Sequence, residues 1–358
     1  MADKLNVVTG ASGFLGSHIV EQLVAHGERV RAVVRLSRAA SPRAPAFLEG
    51  LGVEIANAEL ADRPALRKAV GGATIVYHCA ARVTDWGPWR AFKADTIEGA
   101  RNILEACKAE GVSRVLCVSS LSVFGCKLDG GLITEESPLA CVRDLSTWDY
   151  YGRSKILAEQ VARHFDRLVT VIRPSWCYGP RDQAGIPRFI DNLRRGRASI
   201  IGSGGNRLNI THVRDAAAGA ILAANHPHAA GQSYNLNGLS DVTQVQLINA
   251  LTDAVRLPRL QKHVSIGLAL RGAFLVELIG RLIRKRTPPR FTRRGVERIA
   301  RTTQYSTEKA QRQLGWQPRV TFTEGIEETM VWFLACQAAP SAMATTAVKE
   351  SGAGRSGT

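Results

Sequence analysis

Ten residues near the N-terminus constrain this chain more than any other stretch: Val7-Val8-Thr9-Gly10-Ala11-Ser12-Gly13-Phe14-Leu15-Gly16. An apolar run of strand type stops at a turn with glycines at 10, 13 and 16, and an amphipathic pattern (Phe14, Leu15, Ile19, Val20, Leu23, Val24) begins at once. The expected local structure is strand, glycine turn, helix. Residues without a Cβ can reverse the chain, let a pyrophosphate approach the backbone and let the helix pack closely on the strand. The N-terminus of the helix adds free N–H groups and a partial positive charge, which suit phosphate. Glycines also cluster in ordinary loops, so the weight of the reading rests on the flanking strand and helix.

The same alternation continues downstream. Strands are expected at Arg29–Val34, Val53–Asn57, Thr74–Cys79 and Arg114–Ser119, with helices at Pro64–Val70 and Phe92–Ala109. Strands separated by helices imply an α/β fold of Rossmann type, a doubly wound parallel sheet whose ligands sit at the carboxyl ends of the strands. Gly10, Arg35, Ala80 and Ser120 all fall at such ends. An acidic residue after the second strand would select NAD through the ribose 2′-hydroxyl, whereas an arginine accommodates the 2′-phosphate of NADP. No acid occurs between Val30 and Phe47, while Arg35 and Arg38 do, so NADP(H) is favoured over NAD(H), with Arg35 as the contact.

Two further features carry chemistry. Ser119-Ser120 closes the fifth strand, and Tyr151-Gly152-Arg153-Ser154-Lys155 lies inside a helical pattern spanning Asp149–Phe165. A spacing of four puts phenol and ammonium on one helix face, where the lysine favours the phenolate and can also hold cofactor ribose hydroxyls. Tyr151 would then exchange a proton with a carbonyl or alcohol while nicotinamide exchanges the hydride, and Ser120 would hold the substrate oxygen.

Together these residues resemble the extended short-chain dehydrogenase/reductase family, of the NAD-dependent epimerase/dehydratase type. Arg173-Pro174-Ser175-Trp176-Cys177-Tyr178-Gly179-Pro180, His212-Val213-Arg214-Asp215 and Leu314-Gly315-Trp316-Gln317-Pro318 fit the same family, so the similarity covers about residues 4 to 335. The resemblance implies Ser120, Tyr151 and Lys155 as catalytic residues. It implies a cofactor site from Gly10, Ser12, Gly13, Phe14, Leu15, Gly16, Arg35, Glu59, Leu60, Ala80, Ala81, Tyr151, Lys155 and Pro174, with no metal. It further implies a dinucleotide-binding domain over 1–180, a substrate domain over 181–335 with strands partly returning to the first, and a homodimer through a helix pair that includes the Tyr151 helix. Where many relatives carry Asn, this chain is expected to carry Asp95, which removes a family-style relay contact.

The same comparison narrows the substrate. Nucleotide-sugar enzymes of the family often carry Asn where Trp176 stands here and Arg where Leu208 stands, both used on a diphosphate; Arg207 is the neighbouring substitute. Leu121-Ser122 stands where dehydratases place acidic or amide residues, and Trp86 and Trp89 lie in the loop expected beside the nicotinamide. The chain is most similar to the 3β-hydroxysteroid dehydrogenase-like and acyl-ketone reductase branches. Interconversion of a secondary alcohol and a ketone on an apolar substrate is therefore expected, against a nucleotide-sugar epimerase and against a non-catalytic NADP(H)-binding sensor.

Charge adds one localised feature. Of a net +16, the segment Arg259–Arg301 holds 12 Lys/Arg against 2 Asp/Glu. No DNA-reading motif accompanies it, so a solvated face or an anionic surface is expected rather than nucleic acid. Inside it, Val264–Ile283 is long enough to span a bilayer but contains Arg271, Glu277 and Arg281, whose cost disfavours a span. The expectation is a helix that borders an apolar pocket and touches a membrane surface, apolar nearly all round at first and charged in its second half. Seven scattered cysteines show no metal or disulfide spacing and are expected to be mostly buried thiols, and the chain from Cys336 reads as a disordered tail. With the first strand starting at once, no leader is expected, and the protein is expected to be cytoplasmic.

Overall fold

The computed structural model describes residues 4–35, 43–125, 131–165, 168–238, 241–289 and 291–338. Its centre is a seven-stranded, wholly parallel sheet: β1 (Leu5–Thr9), β2 (Arg29–Val34), β3 (Glu54–Asn57), β4 (Ile75–His78), β5 (Arg114–Val118), β6 (Val169–Pro174) and β7 (Ser233–Leu236). The spatial order is β7-β6-β5-β4-β1-β2-β3. The order reverses between β1 and β4, and a crevice at the carboxyl ends of the strands opens at such a switch point. Thr9 lies opposite both Val33 and His78 in the register, so the ends of β1, β2 and β4 are level there.

Strands that run apolar without interruption must be buried on both faces. Val8, Ala32, Tyr77, Leu116, Ile172 and Tyr234 point to one layer, packed beneath α1 (Phe14–Ala25) and the alanine-rich α4 (Val213–Asn225). Val7, Val33, Val76, Val115 and Val171 point to the other, beneath helix Arg63–Val70, α2 (Gly99–Ala109) and α3 (Tyr150–Phe165). The C-terminal segment is fastened to α4 through Asp215, whose carbonyl accepts from Trp316 Nε1 at 2.9 Å and whose carboxylate accepts the N–H of Arg319.

Beyond β6 the chain builds a second core from Ile186, Ile190, Leu208, Ile210, Leu251, Met330 and Phe333. Short parallel pairs stitch this part together: Trp176–Tyr178 with Ile210–His212, and Ile200–Ile201 with His263–Val264. Two helices, α5 (Ile266–Leu282) and α6 (Arg293–Ala300), lie against the residues that precede and begin α3.

Several expectations are corrected. The helix expected over Phe92–Ala109 is composite: a turn at Trp89–Phe92, a π-helical stretch at Lys93–Glu98 and then α2. Cys336 and its two successors are the last turn of helix Phe322–Ala338, not tail, because Ile326, Met330 and Phe333 bury one face of that helix; residues 339–358 lie outside the described residues. Among the six described cysteines, Cys107 and Cys117 are buried, Cys79, Cys177 and Cys336 are half-buried, and Cys141 is exposed. The largest difference concerns the second half of α5, where Glu277 and Arg281 face inward because the partners there are aromatic rings and Arg293, while in the first half Ile266, Ala269, Leu270 and Ala273 pack on Ile201, Val296 and Ala300.

Candidate active site

The glycine turn is built as tightly as its composition suggests. Gly10 has φ +66°, and a Cβ there would stand 2.9 Å from the Cα of Ala80; a Cβ on Gly16 would stand 2.3 Å from the carbonyl oxygen of Gly10. Gly13 donates its N–H to that same oxygen at 2.8 Å and caps α1 without a side chain. The first amides of α1, at Phe14 and Leu15, therefore have neither an intrahelical acceptor nor a capping side chain, and exposed Ser12 and Gly13 leave them open to an anion. The crevice fits a pyrophosphate.

The remaining cofactor candidates line the same edge. Arg35 is exposed one residue beyond β2, and no carboxylate is bonded to it among the described residues; Arg38 lies outside them. Glu59 and Leu60 follow β3, with the Leu60 carbonyl accepting from Asn102 Nδ2 at 2.8 Å. Ala80 and Ala81 follow β4, where the N–H of Ala80 meets Thr9 Oγ1 at 3.4 Å. His78 Nδ1 shares that hydroxyl at 2.9 Å, and burial, with help from Lys155, holds its imidazole down at about 3, so it is a neutral ring. Pro174 is the buried last residue of β6.

Ser120 stands two residues past β5, the strand end that Lys155 reaches, and Tyr151 lies one turn before Lys155 on α3. Lys155 is buried and donates to the carbonyl of Val118 at 2.8 Å, with its ammonium 6.0 Å from the centre of the Tyr151 ring. Ser120 caps the short 3-10 turn Leu121–Phe124, its Oγ accepting the Ser122 N–H at 3.2 Å, and both Ser120 and Tyr151 remain partly accessible. Ser119 is committed elsewhere: its hydroxyl donates to buried Glu159 at 2.5 Å, and Glu159 also takes Arg173 Nε at 3.0 Å and Nη2 at 2.5 Å. This closed ion pair ties α3 to β5 and β6, and it fixes the frame from which Lys155 and Ser120 project.

The structure adds residues that sequence reasoning did not single out. Arg294 of α6 lies over Tyr151, 4.3 Å from the ring centre, and its Nη1 is held by Asp149 at 2.8 and 2.9 Å while Asp85 sits 3.4 Å from its Nε. Burial works against that charge, but the two carboxylates overcome it and raise the guanidinium above its ordinary value. One turn further on, Arg298 stacks on Trp176 at 4.3 Å and has no carboxylate bonded to it among the described residues; burial of its guanidinium holds it below its ordinary value against the pull of Asp85. Both arginines were hidden in a run of basic residues whose default reading is solvated surface.

The residue facing Lys155 from the π-helical stretch is not Asp95. Asp95 turns away to Arg82 Nη1 at 3.2 Å, whereas buried Thr96 lines one small cavity with His78, Ala80, Ser119 and Lys155. The π-helical turn sets which side chain points inward, and that choice has no signature in the local sequence. Trp86 and Trp89 are used in packing: Trp86 donates to the Lys285 carbonyl at 2.7 Å, and Trp89 lies against Tyr150 and under Arg153. Arg207 pairs with Asp241 at the surface, 3.3 Å away, so it is drawn away from the cleft as a phosphate ligand. Among the described residues no cluster of His, Cys, Asp or Glu could hold a metal.

Comparison with known proteins gives the family. The family model described as NAD dependent epimerase/dehydratase matches residues 6–237. A 2-alkyl-3-oxoalkanoate reductase of Stenotrophomonas maltophilia is 32% identical over 89% of this chain and 96% of its own length. The decarboxylating sterol-4-alpha-carboxylate 3-dehydrogenase of Mus musculus is 29% identical over 92% of this chain and 91% of its own. Among solved structures, gox2253 superposes with a TM-score of 0.76 at 26% identity, covering 93% of this chain and 98% of that one. A UDP-glucuronic acid 4-epimerase of Bacillus cereus in complex with NAD shares the fold, with a TM-score of 0.70 at 19% identity over 93% of this chain and 99% of that one.

Proposed function

Given that the chain belongs to the NAD-dependent epimerase/dehydratase family and is a nicotinamide-dependent oxidoreductase acting on CH–OH groups, we propose that it interconverts a ketone and a secondary alcohol on an apolar substrate carrying a carboxylate next to the reacting carbon, with NADP(H). A bound nicotinamide supplies or accepts the hydride. Ser120 holds the substrate oxygen, Tyr151 gives it the proton on reduction and takes it back on oxidation, and Lys155, fixed on Val118, supports Tyr151 and holds the cofactor ribose. Gly10–Gly16 cradles the pyrophosphate, and Arg35, without an acidic neighbour, meets the 2′-phosphate.

The observation that carries the substrate reading is the pair of arginines on Tyr151 and Trp176. Arg294 is neutralised by Asp149 and Asp85, whereas Arg298, stacked on an apolar wall, has no carboxylate bonded to it among the described residues. A guanidinium presented this way suits a carboxylate. Both relatives' names place a carboxylate on the carbon beside the one that reacts: a 2-alkyl-3-oxoalkanoate and a sterol-4-alpha-carboxylate. A nucleotide sugar would need diphosphate ligands at Trp176 and Leu208, and Leu208 is a buried core residue. We also propose a cytoplasmic homodimer through the helix pair that includes α3, as the family resemblance implies, and a division near residue 180 between cofactor and substrate domains.

The test is oxidation of long-chain 3-hydroxyalkanoates, their methyl esters and UDP-sugars with NADP+ or NAD+. Turnover of the free acids with NADP+, a large loss on esterification and a smaller preference for acid over ester in Arg298→Ala are expected. Equal turnover of acid and ester, or activity on the UDP-sugars alone, would overturn the reading.

A further inference from the structure

Helix α5 packs its first half on a small hydrophobic cluster through Ala273, Ile266 and Leu270, but in its second half the faces are exchanged. Inside, the Glu277 carboxylate accepts the N–H of Arg293 at 2.8 Å and its Nε at 2.9 Å, and Arg281 lies 4.7 Å, 4.8 Å and 5.0 Å from the rings of Trp86, Trp148 and Tyr150. Outside, Leu268, Leu275, Ile279 and Leu282 are between 55% and 74% exposed. At about 100° per residue these four fall within an arc of about 60°, an apolar stripe that is dense from Leu275 to Leu282 and reaches back to Leu268. Ile283 extends it past the end.

Rotation of the helix cannot hide the stripe. Gly280 packs so closely on Trp86 that a Cβ would stand 3.1 Å from the ring, Ala273 is fully buried, and turning the helix would pull Glu277 and Arg281 off their partners. A soluble surface seldom carries so long an apolar strip unless something covers it. The rim says what does: Arg271 lies beside the stripe and Arg284, Lys285 and Arg286 follow it, all exposed, while Glu277, the one acidic residue between Arg259 and Arg286, is turned inward. A second copy docked on this face would set like charges against each other about a two-fold axis. An anionic bilayer supplies acyl chains for the leucines and headgroups for the cations.

We propose that α5 docks the protein on anionic lipid, lying in the plane of the headgroups with the Leu268–Leu282 stripe inserted. No helix among the described residues is long and apolar enough to cross a membrane, which agrees with a helix that lies flat. Because Arg281 holds α5 to Trp148 and Tyr150, the neighbours of Asp149 and Tyr151, docking sets the Tyr151 end of the cleft at the lipid surface. The proposal stands apart from the substrate reading, since docking is measured without turnover.

The test is flotation of the full chain with phosphatidylcholine vesicles containing or lacking phosphatidylglycerol, at low and high salt, with sedimentation velocity of the free protein. The parent is expected to float with the anionic vesicles alone and to be released by salt. Leu275→Glu/Ile279→Glu should lose binding at least about tenfold, and each charge reversal among Arg284, Lys285 and Arg286 should cost about fivefold or more, all variants keeping the parent's cofactor affinity. Absence of flotation, flotation unaffected by these variants, or a dimer that dissociates in Leu275→Glu/Ile279→Glu would overturn the proposal, the last by showing that a second copy covers the stripe.

Discussion

Removing the charge of Glu159 should unfold the protein earlier without touching any residue proposed to meet substrate. Glu159 and Arg173 are both fully buried, joined by bonds of 3.0 Å and 2.5 Å to one carboxylate oxygen and 3.2 Å to the other, with Ser119 as a further donor at 2.5 Å. Arg173 also lies 4.9 Å from the Phe124 ring, and among the described residues its Nη1 has no hydrogen-bond partner and no second carboxylate is paired with it. Glu159→Gln keeps the shape and some hydrogen bonds but leaves that guanidinium uncompensated in the interior. Breaking one side of a buried pair costs about 3–5 kcal/mol. For a chain of this size about 2 °C of melting temperature per kcal/mol is expected, hence a fall of about 6–10 °C. Urea and thermal unfolding followed by tryptophan fluorescence measure it. Glu159→Leu/Arg173→Met, which removes both charges, should lie closer to the parent than either single variant, because apolar replacement of a buried pair is often near neutral. A Glu159→Gln protein within about 1 kcal/mol of the parent would refute the argument, since that is the range of exposed pairs.

Three other outcomes follow from the geometry. Tyr151→Phe should bind cofactor as the parent does and lose turnover by about 10²–10⁴-fold, the usual worth of a positioned acid or base, read from steady-state rates beside a cofactor titration. Gly16→Ala must displace the glycine turn, since its Cβ would meet the Gly10 carbonyl at 2.3 Å, and a loss of cofactor affinity of at least about tenfold by fluorescence titration is expected. Burial holds His78 and His212 at about 3, against 6.5 for a free histidine. The unfolded chain therefore binds protons that the folded chain refuses, and stability should fall as pH drops below about 6.5 by up to about 1.4 kcal/mol per pH unit for each ring; urea midpoints that stay flat from about pH 7 to about pH 4.5 would contradict this.

What was legible in the sequence was whatever has a local cause. The strands β1 to β5 announce themselves as apolar runs, the glycine turn by backbone demands that only glycine meets, and the Tyr151–Lys155 pair by helical spacing. Where long-range partners decide, the sequence was silent. Ile200–Ile201 forms a strand only because His263–Val264 lies beside it, and the phase of the π-helical stretch chose Thr96 over Asp95 for the cavity beside Lys155. The composition of α5 told of an apolar helix but not of its orientation, which is fixed by Trp86, Trp148 and Arg293. Arg294 and Arg298 were visible only as charge, and their meaning came from the rings of Tyr151 and Trp176 beneath them.

In the proposed reaction, hydride passes between a nicotinamide and the carbon beside a carboxylate-bearing carbon. Reduced NADP carrying deuterium at the transferable C4 position, supplied with a long-chain 2-alkyl-3-oxo acid, follows that hydride when the product is analysed by mass spectrometry. The label is expected on the carbinol carbon of the 3-hydroxy acid, in proportion to the cofactor consumed. A 3-hydroxy acid without label, or a nucleotide sugar epimerised with no net cofactor consumed while the oxo acid is left untouched, would contradict it.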